Sequence, residues 1–194
     1  MTLFTPDYGI NEGFDYTIST APTSELLTVT DIEDRMDLSD NDDPDVINNQ
    51  IKAVRTYLES KLNMTLVAQK TITAYWERFG KTIPLPFPPV TSVTSVTVVN
   101  KSSGTETALT EGTDYWVEGV NKKKIKFISD YWNYCYGVKI VYVVGLTDPG
   151  MVKLVKDAMK SEIITWYLNR GNMDETQYVL GSMAMQKLAI FMDI

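Results

Sequence analysis

Side-chain catalysis needs a proton carrier near neutral pH, a nucleophile beside a base, or ligands for a metal. The 194 residues contain no histidine and one cysteine, Cys135. Ser-His-Asp and Cys-His chemistry and His-ligated metals are excluded, as are an internal disulfide and a Cys-rich zinc cluster. Neither of the Gly-rich phosphate cradles occurs, and no Ser-x-x-Lys stands anywhere in the chain. Asp40-Asn41-Asp42-Asp43-Pro44-Asp45 opens like a calcium loop. However, proline fills the fifth position, Asp45 the sixth, which needs glycine, and Ile51 the twelfth, which needs glutamate. These acids read as a solvated helix cap. Carboxylate pairs such as Glu111 with Asp114, or Glu118 with Asp130, are too common in soluble proteins to indicate glycoside hydrolysis. The expectation is a protein that is not an enzyme and needs no cofactor or metal.

Other clusters suit binding better. Tyr131-Trp132-Asn133-Tyr134-Cys135-Tyr136 is an aromatic platform that could stack sugars or bases; its plainer role is to close one end of a β core. Cys135 has no basic activator beside it, so a buried, inert thiol is expected. Pro86-Phe87-Pro88-Pro89 matches PxxP, but its simpler use is to lead the chain into the next strand. Lys122, Lys123, Lys124 and Lys126 form the basic cluster. With Ile125 and Phe127 facing inward, Lys124 and Lys126 project together, either as protection for an edge strand or as a dock for acids of a neighbouring copy. The acids in question are Asp31, Asp34, Asp37, Asp40, Asp42 and Asp43. The Met-rich strip from Tyr178 to Met192 is the strongest partner-binding candidate, and it either folds back on the core or inserts into another protein.

Charge is unevenly spread. Residues 1–60 hold 13 acids and three bases, and residues 61–194 hold 12 acids and 15 bases. This argues against a general nucleic-acid binder, which would carry a basic face along the phosphates. It suits contacts between unlike surfaces of neighbouring copies, or an acidic surface that repels DNA. Residues 1–24 lack a signal peptide's basic start and apolar run. No stretch reaches the roughly 18–20 apolar residues of a membrane span. A soluble protein made in a reducing cytoplasm is expected.

Several elements are legible by period and punctuation. Residues 1–24 show neither a helical nor a strand period, so they read as an arm. Thr30 with Glu33 forms a capping box for a helix over residues 31–38. Asp43-Pro44 caps a second helix over 44–62 with the stripe Ile47, Ile51, Val54, Leu58 and Leu62. From Leu66 the period changes to two, with Leu66, Ala68, Ile72, Ala74 and Trp76 on one strand face. Ile83 to Pro89 must be extended and cannot lie centrally in a sheet. Strands follow over Val90–Val99, Tyr115–Val117 and Lys124–Ile128, and Val138–Val144, apolar on both faces apart from Lys139, reads as central. Asp148-Pro149 opens a helix over residues 149–170 that carries Val152, Val155, Met159, Ile163, Trp166 and Tyr167. The expected class is α+β, with helices at both ends packed together around an inserted antiparallel section of about six strands (residues 66–145).

The element order and several strings resemble the head–tail connector (adaptor) proteins of tailed bacteriophages. The strings are Leu26-Leu27-Thr28-Val29-Thr30, Leu85-Pro86-Phe87-Pro88-Pro89-Val90-Thr91-Ser92-Val93-Thr94-Ser95-Val96, Leu109-Thr110-Glu111-Gly112-Thr113-Asp114-Tyr115, Val138-Lys139-Ile140-Val141-Tyr142-Val143-Val144-Gly145, and Trp166-Tyr167-Leu168-Asn169-Arg170 closing the long helix. The resemblance spans about residues 26–170 and implies a connector domain (25–170), whereas the leading arm (1–24) and the hydrophobic end of the C-terminal tail (171–194) depart from the family's pattern. It also implies a virion protein, made in the host bacterial cytoplasm, whose copies form a ring, usually twelvefold, beneath the portal. That ring hands the DNA channel on to a stopper or tail protein, and DNA passes without specific binding. The tail would reach the portal through Tyr178, Val179, Leu180, Met183, Met185, Leu188 and Phe191. The acidic residues, with Lys122, Lys123, Lys124 and Lys126, would form subunit interfaces or face the channel. Another tail-completion or baseplate component, or a carbohydrate-binding module of a host-recognition protein, stands as the alternative.

Overall fold

The structure is a computed structural model that describes residues 13–20, 24–36, 44–67, 69–121 and 123–168. It divides into two compact units, each discontinuous in sequence. A β unit takes residues 1–22 and 69–145, and a helical unit takes residues 23–68 and 146–194.

The helical unit contains α1 (Val29–Met36), α2 (Pro44–Leu62) and α4 (Pro149–Leu168). All five stripe residues of α2, Ile47, Ile51, Val54, Leu58 and Leu62, are buried. They share a core with Ile32 of α1 and with Val155, Ala158, Met159, Ile163 and Tyr167 of α4, because apolar residues three and four apart make one stripe that must find a partner. The α4 stripe holds as expected, except that Val152 and Trp166 are only partly buried at its margin. Asp148 caps α4, its Oδ1 accepting the Met151 N–H at 2.7 Å. The cap of α1 differs from the Thr30–Glu33 box expected. Thr28 and Asp31 make the reciprocal pair, Thr28 N–H to Asp31 Oδ2 at 3.0 Å and Asp31 N–H to Thr28 Oγ1 at 3.2 Å. The same Thr-x-x-acid spacing occurs two residues earlier, and the helix begins two residues sooner. Leu66, expected on a strand, is buried in this helical core, its N–H held by Glu59 Oε1 at 2.9 Å.

The β unit contains β1 (Phe14–Thr20), β2 (Lys70–Trp76), β3 (Thr82–Pro84), β4 (Val90–Asn100), β5 (Glu106–Leu109), β6 (Tyr115–Glu118), β7 (Lys124–Phe127), the one-turn helix α3 (Tyr131–Tyr134) and β8 (Cys135–Val144). One sheet has the order β1-β2-β8-β4-β5 and the other β3-β7-β6, and every pair of strands is antiparallel. The buried faces of both sheets contribute to a single core. β8 is central, as its two-sided apolar sequence requires. β3, with Pro84, lies at an edge, where the lost N–H costs no ladder bond.

Among the described residues eight strands therefore replace the six expected, and β1 precedes α1, so helices do not bracket the described part of the chain. The unexpected strands, β1 and β5, are edges stabilised chiefly by backbone pairing. In β1 only Phe14 and Tyr16 pack on the core. Phe14 stands 5.0 Å from Trp76, and Tyr16 stands 4.8 Å from Phe87. β5 pairs Glu106–Leu109 with Val96–Val99 and buries little.

Candidate functional site

The register of β6 on β7 sets Glu118 opposite Lys124 and Trp116 opposite Lys126. Ile125 and Phe127 point into the core, which turns both lysines outward as the alternation demands. They converge on one carboxylate: Lys126 Nζ lies 2.8 Å from Glu118 Oε1, and Lys124 Nζ lies 3.3 Å from Oε2. These two lysines hold the Glu118 carboxyl below its usual range. Lys123 Nζ donates to the Thr91 carbonyl at 2.7 Å. The described lysines of the cluster are thus engaged within their own unit. Trp116 stands beside them, 52% exposed. Its position was readable from the same alternation, since Tyr115 is the inward neighbour.

On the helical unit, Asp31 accepts from the Thr28 N–H and from Lys160 Nζ, the latter at 3.0 Å. The Thr28 N–H first, and Lys160 after it, lower its pKa to about 2. Asp34 is exposed. Asp37, Asp40, Asp42, Asp43 and Lys122, and the whole set Tyr178, Val179, Leu180, Met183, Met185, Leu188 and Phe191, lie outside the described residues.

The aromatic run 131–136 splits in two. Tyr131 and Trp132 pack against the β core, whereas Tyr134 and Tyr136 are 45% and 44% exposed. The Tyr131 hydroxyl donates to Asp114 Oδ1 at 2.6 Å. This bond raises the tyrosine to about 12 and lowers the Asp114 pKa. Cys135 is buried, and burial raises its thiol pKa, which leaves little thiolate for reaction. Beside this turn the β unit has an open cleft of about 450 Å³, lined by Glu77, Arg78 and Phe79 on one side and Lys101, Trp132, Cys135 and Tyr136 on the other.

The cleft walls are fixed by backbone bonds. Glu77 N–H donates to the Gly13 carbonyl at 2.9 Å, and Lys101 N–H to the Tyr134 carbonyl at 3.0 Å. Gly13 has φ +101°, and a Cβ there would come within 2.8 Å of Glu77 Cβ, so only glycine allows this approach. Phe79 is braced by Phe127 at 5.2 Å. The PxxP stretch, in contrast, is part of the interior: Pro86, Pro88 and Pro89 are buried, and the Pro86 carbonyl accepts from the Tyr142 hydroxyl at 3.2 Å.

Among the described residues no group of His, Cys, Asp and Glu side chains is placed to hold a metal, and no helix is long and apolar enough to cross a membrane.

No protein-family model and no curated protein matches the chain. Solved structures do. A chain in the neck of an empty gene transfer agent (GTA) particle, computed with C6 symmetry, matches with a TM-score of 0.67 at 16% identity, over 91% of this chain and 94% of that one. A chain in the virion of the native GTA particle matches at 0.66 and 17% identity, over 88% and 92%. One in the native neck computed with C12 symmetry matches at 0.64 and 17%, also over 88% and 92%. The fold is shared with these neck and virion chains.

Proposed function

We propose that this chain is a structural, non-enzymatic protein of the neck of a phage-like particle. Its copies close into a ring, twelvefold by analogy with the C12 neck, that joins the portal at the capsid vertex to the stopper or tail and continues the DNA channel. The carrying observation is the extent of the shared fold, which takes in nine-tenths of both chains and so includes both units. Charge supports the same conclusion, since rings of identical copies need unlike surfaces that meet head to tail. The acidic stretch Asp31–Asp45 supplies one of them. Where it meets the channel it keeps the wall from binding phosphate. The apolar strip with Tyr178, Val179, Leu180, Met183, Met185, Leu188 and Phe191 is the element that reaches the portal.

Quantitative mass spectrometry of purified particles tests this reading. Near-equal copies of this chain and of the portal protein are expected. A copy number matching the distal tail instead assigns it to another tail-completion or baseplate position. Absence from the particle overturns the proposal.

A further inference from the structure

The ring assigns no role to the cleft beside α3, yet the cleft has the parts of a ligand site. Its walls are held before any ligand arrives, by the Gly13–Glu77 and Lys101–Tyr134 backbone bonds. Trp132 is half-buried and Phe79 is braced, so neither ring loses much freedom on contact. Tyr136 stands open at the mouth. The rim carries both signs of charge. Glu77 and Arg78 are exposed, and their side chains make no hydrogen bond or ion pair among the described residues. Lys101 Nζ makes a long bond of 3.3 Å to the Asn133 carbonyl.

We infer that this cleft binds a neutral carbohydrate. The apolar face of a pyranose ring rests on Trp132 and Tyr136, while its hydroxyls donate to the Glu77 carboxylate and accept from Arg78 and Lys101. The mixed rim decides the ligand class. A phosphate or carboxylate would meet Glu77, and a cation would meet Arg78 and Lys101. A neutral polyol uses all three, because a hydroxyl is both donor and acceptor. A volume of about 450 Å³ is in the range of small-molecule sites. The inference does not rest on the ring, and it places a glycan contact on a protein whose fold occurs in particle necks.

The test titrates the full chain with a panel of neutral disaccharides and N-acetylglucosamine oligomers, read by saturation-transfer NMR and calorimetry. Saturable binding with Kd on the order of 1 mM or tighter is expected for one class, weakened roughly tenfold by Tyr136→Ala and by Arg78→Ala. Trp116→Ala, on the outer face of β6, leaves it unchanged. Trp132→Ala abolishes binding, and the exposed Tyr136 and Arg78 variants preserve the test should that variant fail to fold. Absence of saturable binding across the panel overturns the inference, and so does binding that survives both Tyr136→Ala and Arg78→Ala. Tighter binding of a poly-dT oligonucleotide, lost in Arg78→Ala and Lys101→Ala, also overturns it and assigns the cleft to nucleic acid.

Discussion

The two units differ most in how they handle charge. The β unit holds nine acids and nine bases, whereas the helical unit holds 16 acids and nine bases, so the whole net charge of −7 belongs to the helical unit. In the β unit, opposite charges meet across strands, Glu118 with Lys124 and Lys126, and Glu106 with Lys139. In the helical unit Arg55 links Glu25 to Glu59, and Lys160 holds Asp31. Their cores differ too. Buried side chains of the helical unit are mainly aliphatic, while the β unit buries Trp76, Tyr115, Phe127 and Tyr142. One unit thus carries the chain's net negative charge, and the other is balanced in charge and holds the cleft.

Core truncation has the largest expected effect and should make the units look alike. Ile51→Ala and Ile140→Ala each leave a cavity among fully buried neighbours, and each should cost about 2–5 kcal/mol in urea unfolding. A much smaller loss in either would show that its core repacks. The charge contrast appears at the next level. Arg55→Ala removes the cation shared by Glu25 and Glu59 in a site where all three side chains are at most a quarter exposed, at a cost of about 1–3 kcal/mol. Asp31→Asn should cost about 1–2 kcal/mol after allowance for partial exposure. Because folding depresses the Asp31 pKa from 3.8 to about 2, its contribution is present above about pH 4 and is lost as pH falls toward 2. The Asn variant should show a flatter stability profile across that window. The smallest effect belongs to the exposed β-unit pairs: Lys126→Ala should change stability by no more than about 0.5 kcal/mol, and the change should shrink further in high salt.

Legibility followed the source of each element's stability. α2 was readable to its buried residues because an amphipathic helix states its partner-facing stripe in sequence. β8 was readable because a central strand is apolar on both faces. β1 was not, although Phe14, Tyr16 and Ile18 alternate, because an edge strand is held by main-chain bonds to β2 that no side chain announces. The cap of α1 was misplaced by two residues because Thr28-x-x-Asp31 and Thr30-x-x-Glu33 offer the same pattern. Lys124 and Lys126 were placed correctly on the outer face of β7. Their engagement with Glu118 depended on a strand register that composition does not reveal. Likewise, the rings of 131–136 were visible, but Glu77, Arg78, Phe79 and Lys101 come to the cleft from segments distant in sequence.

The helical unit is built from two stretches of chain with the β section translated between them. α2 emerges from the ribosome with its stripe complete, but the α4 residues that cover it follow only after Val155, roughly ninety residues later. At ordinary synthesis rates of about 5–20 residues per second, that interval lasts on the order of 5–20 s. A sticky amphipathic helix must therefore wait in the cell for its partner. Residues 1–60 carry 13 acids against three bases, so nascent chains at this stage bear like charge, which opposes their association during that wait.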